Sequence, residues 1–322
     1  MPPVASARVL LLTDPAMAAH GAPGHPERPE RLEAAALGVA DGAAVAEAEL
    51  ERPRVEPADD LALRLVHQPW YLESLDAAAA RGGGWVDGDT YLGPQSMVAA
   101  RLAAGATLQV ALAVARGEAD VAFAVVRPPG HHAAAERAAG FCLVNNVAVG
   151  VAGVREAGLA RRLAVIDWDV HHGDGTQAIF DADADLCYAS THQSALYPGT
   201  GDASERGGGA AAGTKHNAPL PPGSGDAAFS AAWLERLLPA VEAFRPEAIL
   251  VSAGYDAHRD DPLASLDVTE AGFAAVAEAL GALTGRLGLP GVALTLEGGY
   301  DLQALRASVA ATVTGLLAGL RK

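Results

Sequence analysis

The stretch Leu163-Ala-Val-Ile-Asp167-Trp-Asp169-Val-His171-His172-Gly-Asp174-Gly175 joins an apolar run to a dense group of acidic and imidazole side chains. Residues 163–167 are typical of a strand that is buried on both faces of a parallel sheet. Asp167, Asp169 and His171 occupy alternate positions, so an extended backbone would point all three in one direction. Carboxylates and imidazoles are ligands of Zn²⁺, Fe²⁺ and similar ions. The stretch therefore predicts a metal site at the end of a buried strand.

The rest of the chain repeats this alternation of short apolar runs with longer Ala- and Leu-rich segments. Such a pattern is typical of βαβ units, in which helices cover both faces of a parallel sheet, so we predict an α/β fold. The predicted strands are Arg8–Thr13, Ala119–Val126, Leu163–Asp167, Leu186–Ser190, Ala248–Ser252 and Val292–Leu296. The predicted helices are Arg28–Leu37, Pro69–Arg81, Gln95–Arg116, Asn145–Ala157, Asp226–Phe244, Thr269–Leu287 and Leu302–Leu320.

Four further segments with ligand or proton-transfer residues also follow predicted strands. In open parallel sheets, ligands bind at the carboxyl ends of the strands, so distant segments can converge there. Asp256 is the candidate third metal ligand, and three protein ligands leave room for water and substrate. The segments are Arg127-Pro-Pro-Gly-His131-His132, Ser190-Thr-His192, Gly254-Tyr-Asp256 and Glu297-Gly-Gly-Tyr300.

The paired imidazoles and the phenol of these segments suit acid–base chemistry beside the metal. One of His131 and His132 could move a proton while the other supplies charge, and a carboxylate behind each ring would set its tautomer. Asp167 and Asp174 are the acids available for that role. The Tyr300 hydroxyl could donate to the oxyanion of a tetrahedral intermediate. Together these groups predict metal-assisted hydrolysis. Nucleophile-elbow, Walker, H-E-x-x-H and dinucleotide-binding motifs are absent from the sequence.

Bulk composition narrows the class of protein. A chain of 322 residues, 50% hydrophobic and 19% charged, fits one globular enzyme domain, which we expect to span residues 1–322. The apolar run Val9–Leu12 is too short for a signal peptide or a membrane span, so we expect a cytoplasmic protein without membrane contact. The net charge of −16 argues against direct nucleic-acid binding. Cys142 and Cys187 form no metal-binding or redox pattern and are expected to be buried thiols.

Two glycine-rich segments, residues 82–94 and 197–225, lack periodicity and are predicted to be loops at the rim of the site. Four acidic side chains in them could attract a cationic substrate to the mouth of a pocket. They are Asp87, Asp89, Asp202 and Glu205.

These motifs, in this order, resemble the zinc-dependent histone deacetylase superfamily, which includes bacterial histone deacetylase-like amidohydrolases and acetylpolyamine amidohydrolases. The resemblance covers nearly the whole chain, is closer to class II-like members than to class I, and implies the arginase/deacetylase fold, a single α/β domain with a mainly parallel eight-stranded sheet flanked by helices. We therefore expect no recruitment module or second catalytic domain. Besides the segments quoted above, the resemblance includes His25-Pro-Glu-Arg-Pro-Glu-Arg-Leu32, Gly140-Phe-Cys-Leu-Val-Asn-Asn146 and Tyr197-Pro-Gly-Thr-Gly201.

The resemblance also implies individual roles. His132 would act as general base and then general acid, with Asp174 behind it, while His131 is paired with Asp167 and Tyr300 binds the carbonyl oxygen. Arg31 matches a position near an internal exit channel. The implied catalytic zinc ligands are Asp169, His171 and Asp256. The implied tunnel walls, which would grip an acyl-lysine chain, are Gly140, Phe141 and Tyr197. The implied ligands of a structural potassium ion are Asp167, Ser190 and the backbone carbonyls of Asp169, His171 and Thr191.

Several alternatives remain open at this stage. Acetyl-lysine in a peptide or protein, an acetylated polyamine and a small acylated amine would all fit the same tunnel. An arginase-like ureohydrolase would need a second metal, and Asp256 lacks a second acid two residues later. A non-catalytic acyl-lysine-binding protein would be expected to lack His132 or Tyr300. The acyl-chain preference, the choice between zinc and iron and the formation of a homo-oligomer are also open.

Overall fold

The computed structural model describes residues 6–322, which form one α/β domain around an eight-stranded sheet. All seven neighbouring strand pairs of this sheet are parallel. The strand order is β2-β1-β5-β10-β9-β6-β7-β8. The sheet strands are β1 (Arg8–Leu12), β2 (Glu49–Glu51), β5 (Val121–Ala124), β6 (Leu163–Asp167), β7 (Leu186–Gln193), β8 (Lys215–Leu220), β9 (Ala248–Ala253) and β10 (Val292–Leu296). This arrangement confirms the predicted fold class.

Helices cover the sheet, and several begin at side chains that cap free backbone N–H groups. Asn145 accepts from the Ala148 N–H at the start of α5, and Asp301 accepts from the Gln303 and Ala304 N–H groups at the start of α10. The helices are α1 (Glu30–Val45), α2 (Asp60–Arg64), α3 (Pro69–Ala80), α4 (Ser96–Ala115), α5 (Asn146–Glu156), α6 (Asp174–Phe180), α7 (Asp226–Ala231), α8 (Leu238–Phe244), α9 (Glu270–Arg286) and α10 (Leu302–Leu320). A π-helical turn, Ala232–Leu237, joins α7 to α8.

Besides a short hairpin in residues 82–94, four strands and helices were missed by the sequence patterns, and the prediction for residues 197–225 was wrong in part. That segment contains the edge strand β8, whose Pro219 and polar residues hide the strand pattern. The other missed elements, β2, α2 and α6, are only three to seven residues long, too short for a clear period. The predicted rim loop 82–94 contains a two-stranded hairpin, β3 (Gly84–Trp85) with β4 (Tyr91–Leu92). Strand β7 extends beyond the predicted end at Ser190 to Gln193.

Two helices, α4 and α10, are long and apolar enough to cross a membrane by length and composition alone. In the fold, 72% and 56% of their most apolar windows are buried. Helix α10 packs between α1 and α9, while α4 packs against α5 and the sheet. Burial and packing of this kind are typical of core helices.

The sheet brings the flagged segments together. Strands β5, β10, β9 and β6 are consecutive neighbours, and the polar segments follow their carboxyl ends. Asp167 at the end of β6 lies in register with Ser190 of β7 and Ser252 of β9. Parallel strand pairing thus brings segments that are far apart in the sequence to the same edge of the sheet.

Candidate active site

The loops after β6 and β9 bring Asp169, His171 and Asp256 together. One ligand atom from each residue lies within 4.8 Å of the others. Nδ1 of His171 is 3.1 Å from Oδ1 of Asp169 and 3.2 Å from Oδ2 of Asp256. Asp169 and Asp256 are almost fully buried, so two negative charges meet in a poorly solvated place. This set of donors suits a divalent cation of the zinc type.

Backbone groups aim the two carboxylates at this point. Asp256 accepts from the Val170 N–H at 2.8 Å, and Asp169 accepts from the Gly298 N–H at 2.8 Å. A Cβ at Gly298 would clash with both carboxylates, and one at Gly254 would clash with Asp169. The glycines are therefore required for the backbone to approach the ligands closely.

The prediction that one extended strand presents Asp167, Asp169 and His171 was wrong in its geometry. Strand β6 ends at Asp167, and the residues after it form a loop. Asp169 accepts from the N–H of His171, which turns the chain so that His171 meets Asp256. Asp167 instead faces the imidazole of His131.

The electrostatics of the three residues favour a cation. Burial lowers the pKa of His171, but hydrogen bonds and charge from Asp169 and Asp256 outweigh burial and raise that pKa to about 10. A proton is thus strongly attracted to this point, and a divalent ion would be attracted for the same reason. The donor chemistry and the field both fit a metal ion. Within residues 6–322 this is the one group of three or more His, Cys, Asp or Glu residues placed to hold one.

His131 is held by the carboxylate of Asp167, which also binds Tyr188. Its Nδ1 lies 3.1 Å from Oδ2 of Asp167, and the Tyr188 hydroxyl donates to the same oxygen at 2.9 Å. Burial lowers the pKa of His131, but the charges of Asp167, Asp169 and Glu297 raise it well above its ordinary value. The buried Glu297 also accepts from the backbone N–H groups of Gly130 and His131, which fixes the turn.

His132 has a different environment although it is the next residue. Its Nδ1 lies 2.7 Å from Oδ1 of Asp174, whose Oδ2 accepts from Arg137 at 2.8 Å. Burial, followed by the charge of His131, lowers the pKa of His132 to about 3 despite Asp174. Without a metal, the pair therefore consists of one imidazole that readily holds a proton and one that is neutral.

A narrow pocket of about 230 Å³ leads from the surface to these groups. Tyr197 stands against His132 with ring centroids 5.1 Å apart, and Phe141 stands against Tyr300 at 6.0 Å. Burial raises the pKa of Tyr300 well above its ordinary value, which keeps the phenol protonated as a donor. The lining comprises Asp89, Pro129, His131, His132, Gly140, Phe141, His171, Leu196, Tyr197, Leu263, Gly298 and Tyr300.

The aromatic wall at Phe141 depends on a tight turn. Gly140 and Phe141 both have positive φ, 54° and 68°, and a Cβ on Gly140 would clash with the His132 ring. The Phe141 N–H donates to Thr90 at 3.1 Å, so the hairpin loop holds the strained residue.

Behind Tyr300 lies a buried ionic network. Glu27 accepts from Arg127 at 2.8 and 2.7 Å and from Arg31 at 3.0 Å. Arg31 donates to the Gly299 carbonyl at 2.6 Å and to that of Glu297, and its guanidinium lies 4.9 Å from the Tyr300 ring centroid. Burial raises the pKa of Glu27, but Arg127 and Arg31 lower it to about 2. The network anchors the Glu297–Tyr300 turn from below.

The residues implied as ligands of a structural cation lie at the end of β6, in the segment after it and on strand β7. Ser190 is opposite Asp167 in the sheet and contacts Nδ1 of His192 at 2.9 Å. The Thr191 hydroxyl accepts from Trp233 at 3.0 Å. Asp169 and His171 both belong to the metal group described above.

Several site residues were missed in the sequence. Glu297 belonged to a flagged segment but was given no role, whereas Tyr188 lies inside a strand and has no local signal. Gln177, Asp261 and Leu263 come from loops and a short helix whose positions depend on the fold. Glu205, expected at the mouth, instead binds the backbone of its own loop.

The chain is similar to proteins of one family in both sequence and structure. The histone deacetylase domain profile matches residues 25–316. Histone deacetylase 15 of Arabidopsis thaliana is 39% identical over 91% of this chain, which spans 53% of that relative's length. A probable deacetylase of Methanothermobacter thermautotrophicus is 41% identical over 96% of this chain and 90% of its own. The structure of an acetylpolyamine aminohydrolase from Burkholderia pseudomallei has a TM-score of 0.85 and 29% identity, covering 96% of this chain and 98% of that one. The chain therefore belongs to the histone deacetylase family.

Proposed function

We propose that this protein is a zinc-dependent deacetylase that hydrolyses the amide of an acetylated, or longer acylated, lysine side chain and releases acetate. The observation that carries the proposal is the pocket, whose aromatic walls lead to two carboxylate-backed imidazoles, a phenol and a candidate metal triad. A narrow apolar passage that ends in polar groups suits a linear methylene chain with an amide at its end.

Asp169, His171 and Asp256 would hold the zinc ion. When bound, the ion supplies Lewis-acid polarisation and lowers the pKa of water. Iron would suit the same donors, so the choice of zinc rests on the family resemblance. A structural potassium ion near Asp167 and Ser190 is part of the same proposal.

His132 carries the proton in the proposed reaction. Its neutral ring accepts a proton from the attacking water, while Asp174 holds Nδ1 and leaves Nε2 for this transfer. Tyr300 donates a hydrogen bond to the oxyanion that forms. His132 then gives the proton to the departing nitrogen, which leaves as an amine. His131, paired with Asp167, contributes charge and orientation.

The runner-up substrate is an acetylated polyamine. Asp89 is the one acidic residue among those that line the pocket described here, and none of these lining residues is Lys or Arg. This charge would favour any substrate with a second cation near the acetamide, including a lysine flanked by basic residues. The formation of a homo-oligomer and a cytoplasmic location are also proposals.

A substrate panel tests the function. Purified, zinc-loaded protein would be assayed for acetate or acyl release from acetyl-lysine peptides, longer acyl-lysine peptides and acetylated polyamines, with metal content measured in parallel. We expect release from acetyl-lysine peptides. A folded, metal-loaded protein that releases nothing from any of these substrates would contradict the proposal, and a strong preference for polyamines would favour the runner-up.

A further inference from the structure

The Tyr197 wall of the pocket has no polar anchor of its own. Its ring packs against the rings of His132 and His171, with centroids 5.1 and 6.3 Å apart, and within residues 6–322 its hydroxyl has no hydrogen-bond partner. The side chain is 41% exposed. Apart from these ring contacts, its position depends on the backbone of the loop that carries it, residues 197–206.

Glu205 binds this loop from within. Its Oε1 accepts from the backbone N–H groups of Gly201 at 2.9 Å and Asp202 at 3.0 Å. Its Oε2 accepts from the side-chain amide of Gln177 at 2.7 Å, and Gln177 belongs to helix α6. Both carboxylate oxygens are thus used to join the loop to a helix of the core.

The amide of Gln177 continues the connection to the metal-binding segment. Because its Nε2 donates to Glu205, its Oε1 must be the atom that faces Nε2 of His172 at 3.0 Å. His172 must then donate from Nε2 and accept at Nδ1 from the Thr200 hydroxyl, 2.8 Å away. The Asn217 amide donates to the same Gln177 oxygen at 2.7 Å. His172 directly follows His171, so the loop is tied back to the candidate metal site.

Gly201 shows how closely the loop is pressed against the core. It has a φ of 87°, and a Cβ there would lie 2.5 Å from Nε2 of His192 and 2.6 Å from Cγ of His172. The Gly201 carbonyl accepts from Nε2 of His192 at 2.8 Å. The loop can approach the two rings only with glycine at this position.

We propose that Glu205 is a positioning residue that acts through Gln177 and His172 to hold Tyr197 at the pocket wall and thereby supports binding of the acyl-amine chain. The inference rests on the proposed function. Glu205 touches neither the reacting groups nor the pocket, so its loss should widen the passage without removing the groups that transfer protons.

The test is a double-mutant cycle in the zinc-loaded enzyme. We expect Glu205→Ala and Tyr197→Ala each to raise KM for an acetyl-lysine peptide by about tenfold, with kcat within about twofold. The double variant should be no worse than Tyr197→Ala, because both changes remove the same wall. Ser204→Ala is the matched control, since the exposed Ser204 hydroxyl belongs to the same loop and donates only to Asp202.

Hydrogen exchange supplies a readout that needs no catalysis. Glu205→Ala should speed exchange at the amides of Gly201 and Asp202 while the sheet amides keep their protection. Glu205→Gln, which keeps the size of the side chain, serves if the alanine variant does not fold and should show the same changes to a smaller degree. Additive KM effects, an unchanged KM or unchanged exchange would overturn the inference. Inactive wild type and Ser204→Ala proteins would instead contradict the proposed function, while exchange would still decide the role of Glu205.

Discussion

Oδ1 of Asp174 lies 2.7 Å from Nδ1 of His132, whereas the adjacent His131 has two carboxylates within reach. His131 meets Asp167 at 3.1 Å and lies within 3.8 Å of a second carboxylate, that of Asp169. His132 faces one carboxylate, which is itself neutralised by Arg137. The pKa of His131 is raised and that of His132 is lowered. One ring can hold charge while its neighbour stays free to accept a proton.

Removal of the proposed base should abolish most turnover but leave the metal bound. We expect His132→Ala to lower kcat by about 10²–10⁴-fold, which is the usual contribution of general acid–base catalysis. Metal content should match that of the wild type, because His132 is outside the triad. Steady-state kinetics with elemental analysis would check both points. Full activity in the variant would remove His132 from the mechanism.

The triad predicts metal loss from a single isosteric change. Asp256→Asn removes one negative charge and one strong ligand, so we expect much less zinc after dialysis against a weak chelator. The matched control is Asp261→Asn, because Asp261 lies near but accepts from backbone N–H groups instead. Equal zinc retention in wild type and Asp256→Asn would show that the ion is held elsewhere.

The phenol of Tyr300 should matter for the transition state more than for binding. We expect Tyr300→Phe to lower kcat by about 10²-fold with little change in KM, as when one oxyanion donor is removed. The ring remains packed between Phe141 and Arg31, so the structure should be retained. A variant with normal kcat would contradict the assignment.

The buried network around Glu27 should dominate local stability. Glu27→Gln leaves the guanidinium groups of Arg127 and Arg31 buried without their counter-charge. We expect a loss of about 3–5 kcal/mol in the free energy of unfolding. Chemical denaturation measures it, with the exposed pair member Asp41→Asn as the control, for which we expect less than about 1 kcal/mol. A loss in Glu27→Gln no larger than in the control would show that the network adds little.

Acid should destabilise the protein partly through His67. Burial lowers the pKa of this histidine from 6.5 to about 4 and outweighs the Ala135 carbonyl, which lies 3.3 Å from Nδ1 and acts to raise that pKa. The other ring nitrogen, Nε2, accepts from the Asn145 N–H. Above pH 6.5 both folded and unfolded forms are neutral. Between pH 6.5 and about 4 only the unfolded chain binds the proton, so stability falls with pH, by up to about 3 kcal/mol.

A comparison of His67→Gln with the wild type isolates this effect, because glutamine cannot titrate but can donate and accept. We expect the difference in unfolding free energy between pH 7.5 and pH 5 to be smaller in the variant. If both proteins lose the same stability, protonation of His67 does not contribute.

The sequence alone determined the α/β class, six of the eight sheet strands and the residues at their carboxyl ends. It could do so because strands buried on both faces need continuous apolar runs, and because metal and proton-transfer chemistry needs side chains that are rare in such runs. Leu163–Asp167 and Val292–Leu296 have the bounds that the pattern predicts. The short strand β2 and the polar edge strand β8 lack that pattern.

Only the tertiary structure decided which role each of the predicted site residues has. Asp167 and Asp169 are two residues apart, yet one backs His131 and the other meets His171 and Asp256. Glu205 looked like a charge at the pocket mouth until its carboxylate was seen to bind its own loop. These outcomes depend on which strand ends lie side by side and on how loops turn after them. Contacts of this kind form between residues far apart in the chain, and no local pattern encodes them.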